Sequence, residues 1–98
     1  MELFKGPFEF EWDAGNREKS LLKHRVTNTE CEEVFLDPHK RILKEILHLE
    51  GRNRERRYVM IGKTKAERAL FVVFTLRRDR VRIISARDLN RKERGLLL

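Results

Sequence analysis

The stretch ALFVVFTLRRDRVRIISA, residues 69–86, decides the fold. It contains two runs of apolar and β-branched residues, 69–76 and 80–86, which are typical of strands. Only a few residues separate the runs, whereas a parallel crossover needs about a dozen or more, so the pairing is predicted to be antiparallel. The first run is apolar on both faces, which predicts a strand in the interior of the sheet.

Further strand patterns lie N-terminal to this hairpin. YVMIG at 58–62 is close enough for a second antiparallel connection. Residues 8–12 alternate aromatic and acidic side chains, as half-buried strands do. The segment 40–48 is ambiguous, because its apolar spacing fits a helix while its branched residues and short span fit a strand. Residues 51–57 are interpreted as a charged turn or loop and as the most mobile part of the chain.

Helix signals occur in three places. Asp13 is a preferred N-cap, and the apolar spacing after it predicts a helix over about 14–24. Two capping boxes mark a second helix that ends before Pro38 and a short C-terminal helix: Thr27 with Glu30, and Asn90 with Glu93. The sequence therefore predicts an α+β fold, with a mostly antiparallel sheet, two N-terminal helices and a short C-terminal helix.

Composition limits the class of protein. The 98 residues suffice for one small domain, so residues 1–98 are interpreted as a single domain. A formal net charge of +7 favours a polyanionic partner or an acidic protein surface. A single cysteine excludes an internal disulfide and argues against a structural zinc site. The lone cysteine leads us to expect neither metal nor cofactor. Without a spanning segment or the apolar run of a signal peptide, the chain is expected to be cytoplasmic.

Arginine dominates the charge near the predicted hairpin. Pairing through the turn at 77–80 would gather Thr75, Arg77, Arg80 and Arg82 at one end of the sheet, near Arg57. Guanidinium groups bind phosphate bidentately, so this cluster indicates recognition of phosphate or carboxylate. Alternation on the last strand assigns Val81, Ile83, Ser85 and Arg87 to one face, and Arg80, Arg82, Ile84 and Ala86 to the other.

The arginines also have a simpler interpretation. Charges on edge strands oppose aggregation, and these could pair with Glu55, Glu67 or Asp79. High charge of mixed sign is also common where solubility or heat tolerance is all that is required.

RNA cleavage would need more than arginine. The 2′ hydroxyl must be activated, charge on the phosphorane-like transition state stabilised, and the departing 5′ oxygen protonated. Arginine suits the second task but stays protonated, so it cannot act as a base. The histidines titrate in a suitable range, although His24 also fits a dipole partner at a helix C-terminus; they are His24, His39 and His48. Tyr58 could donate a proton or stack on a base, or simply lie at the edge of the core.

Several motifs together resemble one family. They are EWD at 11–13, KH with Val26 at 23–26, VFLDP at 34–38, ERRYVMIG at 55–62, VVFT at 72–75 and RIISARDLNRKER at 82–94. On these motifs the chain resembles the BrnT family of ribonuclease toxins from bacterial type II toxin–antitoxin pairs. The resemblance implies a RelE-like fold, RNA cleavage that arrests translation, and neutralisation by a BrnA-like ribbon-helix-helix antitoxin. It also favours a strand at 40–48, where the residues alone leave the choice open.

The resemblance directs the choice of site residues. We expect phosphate and transition-state contacts from Arg57, Arg77, Arg82 and Arg87, with His24 as an acid or base. The predicted RNA-binding residues are Lys23, Tyr58, Thr75, Arg80 and Arg94. Ser85 and Glu93 are expected to be structural. The leading hypothesis is a metal-independent endoribonuclease; the alternatives are a non-catalytic basic binding module and an inactive toxin that still binds its antitoxin.

Two departures from the family pattern stand out. Arg25 occupies the position after KH where family members usually have glycine, a left-handed helix terminator, and is expected to cost up to about 1 kcal/mol. The family also often continues past RKER with a tyrosine and a charged tail, where this sequence reads GLLL. Activity is expected to be weaker if that tail contacts RNA or antitoxin.

Overall fold

Strands and short helices alternate along residues 7–97, the part of the chain that the computed structural model describes, with the side chains of residues 50 and 53 left out. The strands are β1 (Glu9–Phe10), β2 (Arg41–Glu50), β3 (Asn53–Lys63), β4 (Ala69–Arg77) and β5 (Arg80–Asp88). The helices are α1 (Lys19–His24), α2 (Asn28–Leu36) and α3 (Arg91–Arg94), followed by a 3-10 turn at Gly95–Leu97. Predictions for residues 1–6, including part of the signal-peptide assessment, and for residue 98 lie outside this range.

The five strands form one sheet in the order β1-β5-β4-β3-β2. Neighbours from β2 to β5 are antiparallel, and β1 pairs parallel with β5. β4 is the middle strand, as its apolar run predicts. The α+β class and the mostly antiparallel sheet are therefore confirmed, and residues 41–50 are a strand rather than a helix.

One face of the sheet packs against α2 through aromatic side chains. Phe35 is 1% exposed, and its ring lies 5.0 Å from that of Phe74 and 5.2 Å from those of Phe8 and Phe10. Gly62 of β3 permits this approach, since a Cβ there would lie 2.8 Å from a methyl carbon of Val34. We call this apolar layer the helix-side core. Cys31 is buried in it, and burial raises the pKa of its thiol to about 12.

The first helix is shorter than predicted. It begins at Lys19, and residues 14–18 form turns. The Asp13 carboxylate accepts a hydrogen bond from the Gly15 N–H at 2.8 Å, and Glu18 has a left-handed φ of 63°. Asp13 therefore starts a turn instead of capping a helix. The strand predicted over 8–12 is likewise only Glu9–Phe10.

The prediction of a loop over residues 51–57 is wrong. The turn occupies only residues 51 and 52, where Gly51 has φ 59°. β3 begins at Asn53 and pairs with β2 from the pair Glu50↔Asn53 onward. A dense run of charge resembles a loop in sequence, but long charged side chains on a hairpin reach water while the backbone stays paired.

A bulge changes the face assignment on β5. Val73 pairs with Ser85 and Phe74 with Ile83, so Ile84 is an extra residue. After the bulge, Ala86 joins Val81 and Ile83 in the helix-side core. Ser85 and Arg87 therefore share the opposite face with Arg82, and the assignment by strict alternation is wrong beyond Ile83.

Replacing Arg25 by glycine is expected to raise the free energy of unfolding by about 1 kcal/mol. Arg25 ends α1 with φ 57° and ψ 36°, and its N–H donates to the Leu21 carbonyl at 3.0 Å. Glycine adopts this left-handed conformation without the Cβ penalty. Urea unfolding checks the gain, and Arg25→Ala, which keeps the Cβ, should show none. Equal stability of the two variants would contradict the assignment of strain.

Candidate active site

The register brings the predicted arginines into one row on the face opposite the helix-side core. Arg57 pairs with Thr75, and Thr75 with Arg82, across β3, β4 and β5. Arg77 follows two residues later on β4, opposite Arg80. This is the arrangement that the hairpin pattern predicts.

Three of these arginines line a single cleft of about 190 Å³. They are Arg57, Arg77 and Arg82, and Lys19 and Glu55 are at the same cleft. We call it the arginine cleft. A shallow site with several guanidinium donors suits a phosphodiester, whose non-bridging oxygens accept hydrogen bonds from Arg in fixed geometry.

Each guanidinium in the arginine cleft is also paired with a carboxylate. Glu55 accepts from Arg57 at 3.0 Å and from Arg77 at 3.4 Å. Glu11 lies 3.1 Å from Arg82 and 3.7 Å from Arg77. The three guanidinium groups therefore converge on one cleft while each is paired with a carboxylate. A phosphate that bound there would have to share the guanidinium groups with these carboxylates or displace them.

Arg82 has the most restrained guanidinium in the cleft. Its side chain is 14% exposed, and it donates to both Asp13 oxygens, at 2.8 and 3.0 Å. The hydrogen bond raises the pKa of Arg82 and lowers that of Asp13. A Cβ at Gly15 would lie 2.9 Å from an Arg82 nitrogen, so the guanidinium packs closely against the turn and a side chain at position 15 would displace it. Arg57 and Arg77 make fewer contacts of this kind.

Buried Asn16 supports the same turn. Its side-chain amide donates to the Glu11 carbonyl at 2.9 Å and to the Ile83 carbonyl at 3.1 Å. This joins the segment after β1 to β5 beneath the arginine cleft. No local signal in the sequence pointed to Asn16, Glu11 and Lys19, because each gains its role only from contacts with distant parts of the chain.

Lys23, His24 and Arg87 lie in a neighbouring cleft of about 270 Å³. Lys19 and Ile84 line both clefts, so the two adjoin. Arg87 is held there by Glu93, at 2.8 and 2.9 Å, and lies 3.9 Å from the centre of the Phe71 ring. It is therefore not brought together with Arg57, Arg77 and Arg82.

The remaining predicted RNA-binding residues are dispersed. Tyr58 is 8% exposed and stacks on Phe74 in the helix-side core, which argues against stacking on an RNA base. Thr75 is 2% exposed and donates to the Arg56 carbonyl at 2.6 Å. Arg80 lines another cleft with Glu9, which shares Arg77 with the arginine cleft. Arg94 lies farther away, in a cleft beside Arg68 and Asp88.

A second charge cluster centres on Arg68 and joins the helices to the sheet. Its guanidinium bonds Asp88 at 2.7 Å and Glu30 at 3.1 Å, and the carbonyl of Arg25 at 2.8 Å. The hydrogen bond from Arg68 is the largest cause of the lowered pKa of Asp88. This cluster lies apart from the arginine cleft and binds together α1, α2 and β5.

Acidification is expected to weaken the protein through this cluster. A carboxyl whose folded pKa lies below its usual value of 3.8 stabilises the fold above that pH and loses the contribution as the pH falls through the folded pKa. We expect Asp88→Asn to remove about 1 kcal/mol or less at pH 7, because Asp88 is half exposed, and to flatten the loss of stability below pH 4. Urea unfolding at pH values from 7 to 3 measures both effects. If the unfolding free energy of the variant falls with pH as steeply as that of the unmodified protein, Asp88 is not the source of the acid sensitivity.

Family comparison gives this geometry its context. The family model described as "Ribonuclease toxin, BrnT, of type II toxin-antitoxin system" matches residues 12–93. The chain belongs to the BrnT family. The match includes every residue of the arginine cleft. No curated protein matches the sequence of this BrnT chain.

Two observations on the described part of the BrnT chain concern other kinds of site. Between residues 7 and 97, no three histidine, cysteine, aspartate or glutamate side chains are grouped so that they could hold a metal ion. None of the helices described is long and apolar enough to cross a membrane.

Proposed function

We propose that this BrnT chain is a metal-independent endoribonuclease that binds the scissile phosphate of RNA in the arginine cleft. The observation that carries the proposal is the convergence of Arg57, Arg77 and Arg82 on one cleft in a member of a ribonuclease toxin family. The 98 residues would act as a single RelE-like domain in the cytoplasm, arresting translation until a ribbon-helix-helix antitoxin binds.

Phosphate binding would proceed by exchange of partners. Arg57 and Arg77 share the carboxylate of Glu55, and a phosphodiester offers them two acceptor oxygens in a similar geometry. Arg82, held by Asp13 and Glu11, would fix the position of the cleft wall and add positive charge. The guanidinium groups would stabilise the extra charge of the transition state, which is where such donors accelerate reactions most.

Proton transfer has two candidate groups. His24 lines the adjoining cleft, from which an imidazole could protonate the 5′ oxygen or accept the 2′ proton. Glu55 lines the arginine cleft, where its carboxylate, once released from Arg57, could accept the 2′ proton. The reaction needs one proton acceptor and one donor, and these two side chains line the arginine cleft and the adjoining cleft, respectively.

Cleavage of RNA in EDTA tests the proposal. Purified protein should generate new RNA ends in the presence of the chelator, and an Arg57→Ala plus Arg82→Ala variant should not. Because Arg82 also anchors the turn at Asp13, thermal unfolding of the variant must accompany the assay. Equal cleavage by the two proteins would show that the activity does not depend on these two arginines and would remove the arginine cleft from the mechanism.

A non-catalytic binding module is the competing function. The carboxylate pairing of all three arginines in the cleft favours it, since paired guanidinium groups are also common in purely structural networks. Salt-sensitive RNA binding without new RNA ends would support this alternative.

The toxin and partner assignments are tested in cells. Expression should arrest growth, and co-expression of a neighbouring gene for a ribbon-helix-helix protein should relieve the arrest. A protein that binds this antitoxin yet leaves growth unaffected would be an inactive toxin.

A further inference from the structure

The two hairpins of the sheet separate at one end. β3 and β4 pair only as far as Arg57↔Thr75. β2 and β3 continue beyond this level to Glu50↔Asn53, and β4 and β5 to Arg77↔Arg80. The Thr75 hydroxyl donates to the Arg56 carbonyl at 2.6 Å and so closes the β3–β4 ladder. We call the gap beyond this bond the fork.

The fork is a cationic cleft of about 510 Å³. One side is formed by residues 54–57 of β3, the other by residues 75–77 of β4, and His48 of β2 also lines it. Four of its lining residues are arginines and one is a glutamate. This excess of positive charge favours an anionic chain over a neutral ligand.

The fork and the arginine cleft are continuous. Glu55, Arg57 and Arg77 line both, so a polynucleotide with one phosphate in the arginine cleft has a direct route along which a neighbouring nucleotide can enter the fork. Arg54, on the part of β3 that lines the fork but not the arginine cleft, is exposed and makes no ion pair with any side chain that the structure describes. Arg56, by contrast, is paired with Glu45.

The backbone of the fork offers a second kind of contact. Beyond Arg57↔Thr75 the facing edges of the described parts of β3 and β4 form no ladder pairs, although both strands are still extended there. Extended edges present N–H and C=O groups that can read the donors and acceptors of a base. An unstacked base in single-stranded RNA exposes its Watson–Crick edge, which is occupied by the partner base in a duplex.

We propose that the fork binds the nucleotide adjacent to the scissile phosphate in single-stranded RNA, with Arg54 contacting its phosphate and the strand edges contacting its base. This inference rests on the proposed function, because it takes the arginine cleft as the place of cleavage. It assigns an RNA contact to Arg54, which does not line the arginine cleft.

Substrate length tests the fork. The measured quantity is the ratio of kcat/KM for a random hexanucleotide pool to that for a dinucleoside monophosphate pool. The ratio should fall about tenfold in Arg54→Gln, the effect of one charge-assisted contact. Arg91→Gln removes the same charge from α3, outside both clefts, and should leave the ratio as in the unmodified protein.

Binding without cleavage gives an independent measurement. An RNA hexamer with 2′-fluoro sugars lacks the attacking hydroxyl, and fluorescence anisotropy at several salt concentrations gives its salt dependence. The slope of log K against log salt should fall by about 0.7 in Arg54→Gln, the value for one phosphate contact to a single strand. The slope should not change in Arg91→Gln.

The outcomes separate the two proposals. If the unmodified protein cleaves RNA but Arg54→Gln changes neither ratio nor slope, the fork is not an RNA subsite and the nuclease function stands. If no substrate is cleaved, the nuclease proposal fails, and the slope alone decides whether the fork binds RNA. A slope equal to that of the unmodified protein would then overturn the fork as well.

Discussion

Replacing Arg57 by glutamine is expected to lower kcat/KM for RNA cleavage by about 100- to 1000-fold, as removal of a single transition-state donor does in other enzymes. Arg57 lines both the arginine cleft and the fork, and its partner Glu55 keeps a second contact to Arg77. The loss should therefore fall on catalysis more than on the fold. Initial rates on a fluorescent oligoribonucleotide give the effect, and the melting temperature shows whether the variant is folded.

Two matched variants make the result specific. Arg57→Lys keeps the charge but not the planar pair of donors, so it should recover only part of the rate. Arg78→Gln removes an exposed arginine from the neighbouring turn, outside the arginine cleft, and should cleave nearly as well as the unmodified protein. Similar rates for Arg57→Gln and Arg78→Gln would show that general positive charge, rather than Arg57, promotes cleavage.

Replacing Phe35 by alanine is expected to cost about 3–5 kcal/mol of unfolding free energy. The ring is 1% exposed and contacts three other phenylalanine rings, so its removal leaves a cavity between α2 and the sheet. For a domain of this size the melting temperature should drop by at least about 12 °C. Calorimetry and urea unfolding measure the two quantities.

The adjacent residue supplies the control. Leu36 is 66% exposed, so Leu36→Ala should change the unfolding free energy by no more than about 0.5 kcal/mol. Both substitutions remove apolar side-chain atoms from α2, but only Phe35→Ala removes buried contacts. Equal destabilisation by the two would mean that α2 is held by its own helix propensity rather than by the aromatic cluster.

Local signals in the sequence predicted the elements well. The capping boxes at Thr27 and Asn90 are both formed, because each depends on side chains three residues apart. The hairpin at 69–88 and the row of arginines follow from strand alternation and short connections. Such local interactions depend only on residues that are close together in the sequence, so the sequence pattern is enough to predict them.

Features that depend on distant residues were not predictable. The bulge at Ile84 moves Arg87 to the face of Arg82, and alternation alone gives no sign of it. The carboxylates that hold Arg82 are about seventy residues away in sequence. The positions of the arginines in the sequence therefore predicted a phosphate site. They did not show that the guanidinium of Arg82 is more restrained than that of Arg77.

Because Cys31 is buried between α2 and the sheet, the reactivity of its thiol reports on local opening of the fold. Alkylating reagents attack the thiolate, and in the folded state the Cys31 thiol is both shielded and, with a pKa of about 12, protonated at neutral pH. Modification must therefore wait for α2 to detach from the sheet. Because the sequence has a single cysteine, the rate of labelling followed by mass spectrometry measures how often that detachment occurs.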